Sequence, residues 1–192
     1  MIDISVNYLG LDLKSPFIAA SSGYTADLEK IVALARSGAG AIVLKSLFEE
    51  QINNEISFLE DVSSDYTENQ DFLKRYVTEY SLGKYVQLIK DAKREAGIPV
   101  IASINCYSHS NWIEFAKEIE KAGADALELN IYSLPVNGSK NSVEIENGYF
   151  EIVKKITSEI KIPVAVKIGD TFTNLGNFVQ GLQNSGAKGV VL

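Results

Sequence analysis

The feature that most constrains this chain is a punctuated alternation of short apolar runs with stretches of helical period. The runs are Phe17–Ser22, Ala41–Ser46, Val100–Asn105, Ala126–Asn130, Val164–Gly169 and Gly189–Leu192. Proline leads the first, third and fifth (SPF, IPV, IPV), while Gly-Ala leads the second, fourth and sixth (SGAGA, AGADA, SGAKG). Apolar runs of strand length, bounded by turn signals and separated by amphipathic segments, predict βαβ units and hence a parallel sheet.

The spacing shows that the unit is a repeating pair. Pro16 and Pro99 lie 83 apart (99 − 16), Gly38 and Gly123 lie 85 apart (123 − 38), and the next intervals are 64 (163 − 99) and 63 (186 − 123). The surplus of the first unit falls in Leu47–Ser81, an acidic insertion after strand two, on the side where an α/β barrel carries its functional loops. Apolar residues at helical spacing predict helices over Thr25–Ser37, Leu82–Ala96, Tyr149–Ile160 and Leu175–Gln183, and another through Trp112, Phe115 and Ile119, with Ser110 as N-cap and Gly123 as its stop. Ahead of strand one, Ile4–Tyr8 and Leu11–Lys14 flank Leu9-Gly10 as a hairpin suited to plug the bottom of a barrel. A doubly wound sheet would want a glycine-rich phosphate turn after its first strand, and AASSGYT has one glycine. The fold expected is therefore a single partial TIM-type (β/α) barrel over residues 1–192, with about six parallel strands.

Composition narrows the partners. A formal charge of −7 disfavours nucleic acid, and no apolar run approaches the roughly 20 residues of a membrane helix. With a single cysteine, Cys106, and no cationic leader at Met1–Gly10, the expected compartment is the cytoplasm and the expected partner a small molecule.

In a parallel barrel the chemistry lies at the carboxyl ends of the strands. Those ends carry Ser21, Ser22, Lys45, Ser46, Ser103, Asn105, Glu128, Asn130 and Lys167. Glu128 and Asn130 share a face, which points inward if Leu127 and Leu129 face the helices. Two lysines beside one carboxylate read either as an internal ion pair with snorkelling stems or as a site for an anionic or carbonyl-rich ligand. One His and one Cys, without clustered carboxylates on a strand end, give no metal site. His109 and Cys106 read as a loop residue and an inert thiol just beyond strand three, and Tyr66, Tyr76 and Tyr80 read as loop anchors or as stacking partners for a planar ligand.

The segments YLGLDLKSPFIAASS, GAGAIVLKSLFEEQI, IPVIASIN, GADALELNIY and IPVAVKIG, in this order, resemble the dihydroorotate dehydrogenase family along essentially the whole chain. The resemblance implies a TIM barrel carrying FMN. It implies that Ala20 and Ser21 approach the flavin ring, that Lys45 and Ser46 contact the flavin and its reacting edge, that Asn105 and Asn130 hydrogen-bond flavin or substrate, and that Lys167 lies on the pyrimidine side of the flavin. In that family a base removes the C5 proton of dihydroorotate while a hydride leaves C6 for the flavin, and the base lies three residues after the strand-four asparagine, which here is Ser133. Leu134 and Pro135 follow it, and the next asparagine is Asn137.

A full barrel takes about 250 residues and eight strands, so the expectation is that the phosphate end of FMN is held by strands beyond the sixth. Two alternatives stand beside an FMN-dependent oxidoreductase. One is an aldolase-like barrel using Lys45 or Lys167 as a Schiff-base lysine. The other is an inactive barrel fragment that associates with itself through the exposed edge of its sixth strand, giving a homo-oligomer.

Overall fold

The structure is a computed structural model and describes residues 2–62, 70–106, 109–132 and 138–192. It opens with an antiparallel hairpin, β1 (Val6–Tyr8) and β2 (Leu11–Leu13), with Val6 opposite Leu13 and Tyr8 opposite Leu11. Leu9 and Gly10 turn the hairpin with φ of 56° and 78°, the left-handed pair that matches the twist of the two strands. Then follow β3 (Ile18–Ala19), α1 (Leu28–Arg36), β4 (Ala41–Val43), β5 (Leu47–Phe48), α2 (Glu49–Val62), α3 (Gln70–Glu95), β6 (Val100–Asn105), α4 (His109–Ala122), β7 (Ala126–Asn130), α5 (Ser142–Glu159), β8 (Val164–Lys167), α6 (Leu175–Asn184) and β9 (Gly189–Val191). The sheet runs β3-β4-β6-β7-β8-β9, every pair parallel, and β5 adds a short parallel pairing to β6. This curled six-stranded sheet with helices outside it is an incomplete TIM barrel, as the repeat predicted.

Strand alternation sorts the core into two layers. Val100, Ala102, Ile104, Leu127, Leu129, Val164 and Val166 face outward, against helix residues such as Ile89, Trp112, Phe115, Val153 and Phe178. The concave side holds Ala41, Val43, Ile101, Ala126 and Ala165, and Leu9 and Leu13 of the hairpin pack on them. Three alanines leave the room that the two leucines fill, so the hairpin does plug the barrel bottom. Gly189 completes the fit, because a Cβ there would lie 2.8 Å from Leu9 Cδ2.

The lower rim is fixed by one carboxylate. Asp125 accepts the Val100 N–H at 2.7 Å and pairs with Lys93 Nζ at 2.6 Å, tying α3 to the start of β6. Gly123 ends α4 with φ of 91°, the left-handed cap expected of it.

Several boundaries differ from the sequence reading. The first strand is confined to Ile18–Ala19, because Ser22 caps a 3-10 turn at Gly23–Thr25 through a reciprocal Ser22–Thr25 pair. The second strand stops at Val43 and pairing resumes at Leu47. The helix expected from Leu82 begins at Gln70, so the insertion is built of β5, α2 and the first half of α3. Tyr76 and Tyr80 therefore lie on a helix and not in a loop, stacked in series with Phe72 at centroid distances of 6.3 and 6.2 Å. Ser110 falls inside the first turn of α4 and does not precede it. The helix expected from Tyr149 starts at Ser142, because Asn141 and Glu144 form a capping box. No helix among the described residues is long and apolar enough to cross a membrane.

Candidate active site

The break between β4 and β5 shapes the carboxyl end of the sheet. Along β6, Ile101 and Ser103 face inward, and Ser103 stands opposite Glu128 of β7. Where β4 has ended and β5 has not begun, the Tyr85 hydroxyl takes the place of a strand: it accepts the Ser103 N–H at 2.8 Å and donates to the Ser103 carbonyl at 2.9 Å. Strict alternation after Ala41 and Val43 would carry Lys45 inside and Ser46 outside. The break reverses this. Ser46 is buried, with its Oγ 2.8 Å from Ser103 Oγ and 3.1 Å from Ser21 Oγ, and its N–H donates to Ser21 Oγ at 3.0 Å. Lys45 is exposed, its N–H donates to the Thr25 carbonyl at 3.1 Å, and it lines a crevice of about 480 Å³ with Gln51, Ser81, Lys84 and Leu88.

Ser103 Oγ donates to Glu128 Oε1 at 3.0 Å, which completes a line of four polar groups across four neighbouring segments of the sheet. Glu128 is 3 % exposed. Burial pushes its carboxyl above the usual glutamate range, while the Ser103 hydrogen bond and the Lys167 charge pull the other way. The Tyr8 phenol, under the same layer, is pushed up by burial and by the Glu128 charge.

The other half of the mouth is rich in donors. Asn105 Nδ2 donates to the Asn130 carbonyl at 2.7 Å, and Asn130 stands in register with Lys167. All three are half-buried, on β6, β7 and β8. The structure thus brings together Ser21, Ser46, Ser103 and Glu128 in one row, and Asn105, Asn130 and Lys167 in another. Lys167 is the lysine whose charge reaches Glu128; Lys45 makes no side-chain hydrogen bond or ion pair among the described residues. Ala20 is exposed immediately beyond β3. Ser133 and Tyr66 lie outside the described residues.

Cys106 is buried, and burial with the Glu49 charge pushes its thiol far up, so it holds its proton and is a poor nucleophile. Near it, Ile131, Tyr132 and the start of α5 line a second crevice of about 600 Å³. Tyr85 is the residue that sequence reading missed. Its signal was its place beside Leu82, Val86 and Ile89 on the apolar side of a helix, where a buried hydroxyl must find partners.

The profile of the family described as dihydroorotate dehydrogenase matches residues 3–191. The chain is 29 % identical over 196 aligned positions to the catalytic subunit of dihydroorotate dehydrogenase B (NAD(+)) of Thermoplasma volcanium, covering 97 % of this chain and 61 % of that protein. It is 25 % identical over 198 positions to dihydroorotate dehydrogenase A (fumarate) of Lactobacillus helveticus, covering 99 % of this chain and 62 % of that one. The chain thus spans about three fifths of the length of these curated relatives. Among solved structures, an IMP dehydrogenase/GMP reductase-like protein from Corynebacterium glutamicum superposes with a TM-score of 0.55 at 16 % identity, over 98 % of this chain and 48 % of that one. Dihydrodipicolinate synthase from Acinetobacter baumannii does so with 0.55 at 19 % identity, over 91 % and 54 %. At such identities the superpositions speak for the barrel fold alone. The profile match, spanning nearly every residue from the hairpin to β9, shows that the chain belongs to the dihydroorotate dehydrogenase family.

Proposed function

We propose that the strand mouth holds FMN and that the protein is an FMN-dependent oxidoreductase converting dihydroorotate to orotate in pyrimidine biosynthesis. The observation that carries this reading is the adjacency of Asn105, Asn130 and Lys167 on three neighbouring strands. The pyrimidine side of a flavin ring is lined with carbonyls and ring nitrogens and needs donors. Lys167 makes no side-chain hydrogen bond or salt bridge among the described residues, so its Nζ donors remain open to a ligand.

In this reading Lys167 and the two amides hold the pyrimidine side of the ring, and Ala20 and Ser21 approach it from β3. Ser46 flanks its reacting edge, and Lys45, which lines the crevice with Ser81 and Lys84, has no part in it. When bound, FMN supplies the hydride acceptor, and a cation beside the pyrimidine side favours the negative charge that develops on reduction. Ser133 takes the C5 proton of the substrate, and strands beyond the sixth hold the phosphate. The NAD(+) and fumarate named for the relatives leave two classes of electron acceptor for this enzyme.

The test is an anaerobic stopped-flow comparison of the full-length wild type and Ser133→Ala with dihydroorotate as sole donor. Wild-type flavin is expected to bleach, and Ser133→Ala to bleach about 10²–10⁴ times more slowly with its oxidised spectrum intact. A wild type that binds FMN and is not reduced by dihydroorotate would remove the substrate and leave the cofactor. Borohydride with a carbonyl substrate is expected to leave Lys45 and Lys167 unmodified; an adduct on either would move the reading to Schiff-base chemistry.

A further inference from the structure

We propose that Ser103 and Ser46 relay a proton between Glu128, sealed inside the barrel, and Ser21 at its mouth. The three links are 3.0 Å from Ser103 Oγ to Glu128 Oε1, 2.8 Å from Ser46 Oγ to Ser103 Oγ and 3.1 Å from Ser21 Oγ to Ser46 Oγ, all within hydrogen-bond reach. Exposure rises only at one end: Glu128, Ser103 and Ser46 are 3, 0 and 5 % exposed, whereas Ser21 is half-buried. Beneath the row lies the apolar layer of Val43, Ile101, Ala126 and Ala165.

A serine hydroxyl has one proton and two lone pairs, so each can accept from one neighbour while donating to the next. The row therefore has two settings. With Glu128 ionised, Ser103 donates to Glu128, Ser46 to Ser103 and Ser21 to Ser46. Ser21 then accepts the Ser46 N–H and shows a ligand a lone pair. With Glu128 protonated every bond reverses, and the Ser21 O–H points outward as a donor. Transfer moves one proton from Glu128 Oε1 to Ser103, one from Ser103 to Ser46, one from Ser46 to Ser21 and one from Ser21 to the ligand. The carboxyl loses one proton, the ligand gains one, and the hydroxyls are restored.

Other groups around Glu128 act on its charge and do not complete a path. Lys167 of β8 favours the carboxylate, while Tyr8 of β1 and Tyr85 of α3 are neutral phenols whose pKa values its charge raises. That the ligand at the mouth is a flavin ring, which exchanges protons as its redox state changes, rests on the function proposed above. The relay itself does not, so it is tested without cofactor.

The experiment is a pH titration by carbon-13 NMR of the full chain, purified without FMN and labelled at the glutamate carboxyls; Glu128→Gln identifies the resonance. In the wild type the Glu128 line is expected to titrate above the other glutamates as one averaged signal, because its proton reaches solvent quickly through the hydroxyls. Ser46→Ala, which cuts the row without touching the carboxylate, is expected to broaden or split the line near its midpoint. Ser21→Ala, which removes the outlet from a half-buried position, is expected to do the same and decides the matter if Ser46→Ala does not fold. A Glu128 line that keeps its wild-type shape through the titration in Ser21→Ala, or in a folded Ser46→Ala, overturns the relay. Failure of the chain to bind FMN, with the line shapes as expected, removes the flavin reading and leaves the relay standing.

Discussion

Tyr85 and Ser103 exchange two hydrogen bonds, at 2.8 and 2.9 Å, through a single phenolic oxygen. A side chain from α3 does for Ser103 what β4 and β5 do for the residues on either side, and the phenol is held well above its usual pKa by burial, so it stays a donor. Tyr85→Phe keeps the packing and leaves a buried N–H and a buried carbonyl without that partner. The expected cost is about 1–3 kcal/mol for each group left unpaired, seen as a lower urea midpoint at unchanged m-value. An unchanged midpoint would show that water replaces the phenol freely.

Two glycines are predicted to differ in what they tolerate. At Gly40 a Cβ would meet the Ser15 carbonyl oxygen, and backbone cannot step aside. At Gly189 it would meet the tip of Leu9 at 2.8 Å, which can rotate. Gly189→Ala is expected to cost about 1–3 kcal/mol as ordinary overpacking, and Gly40→Ala more than that. Thermal or urea unfolding of the two variants checks the order.

The strand runs and their Pro and Gly-Ala leaders were legible because burial on both faces writes a continuous apolar run into the sequence, and helix C-caps demand glycine. The inward face of Glu128 and Asn130 followed from alternation with Leu127 and Leu129. What could not be read was the exchange of Lys45 for Ser46. It depends on Tyr85 reaching across from another element to replace a strand, and period-2 counting assumes an unbroken ladder. The start of α3 was hidden for a related reason: Phe72, Tyr76 and Tyr80 stack on one another at the surface, so that half of the helix shows no simple apolar face.

Glu128 should leave a signature in the pH dependence of stability. Its carboxyl is raised in the folded state from the ordinary value of 4.5, so between that value and its folded value the native protein holds more proton than the unfolded chain. Stability tied to this group is fully present below pH 4.5 and is lost as pH rises through the folded value. Asp91 and Glu159, both lowered, act in the opposite sense in the total. The difference between wild type and Glu128→Gln isolates the effect: urea unfolding over a pH series should show the glutamine variant gaining on the wild type as pH rises from 4.5. A difference that stays flat would contradict a buried, raised carboxyl.

FMN occupancy reads out whether Asn105, Asn130 and Lys167 form a flavin-binding mouth. Full-length wild type and Lys167→Ala, purified in parallel and reconstituted with FMN, are compared by flavin absorbance per mole of protein and by fluorescence titration. Wild type is expected to be yellow and to bleach with dithionite, and Lys167→Ala to bind more weakly by about 1.5–3 kcal/mol, the worth of a charge-assisted hydrogen bond. A colourless wild type that FMN cannot reconstitute, or equal affinity in the two proteins, would show that these three residues do not hold a flavin.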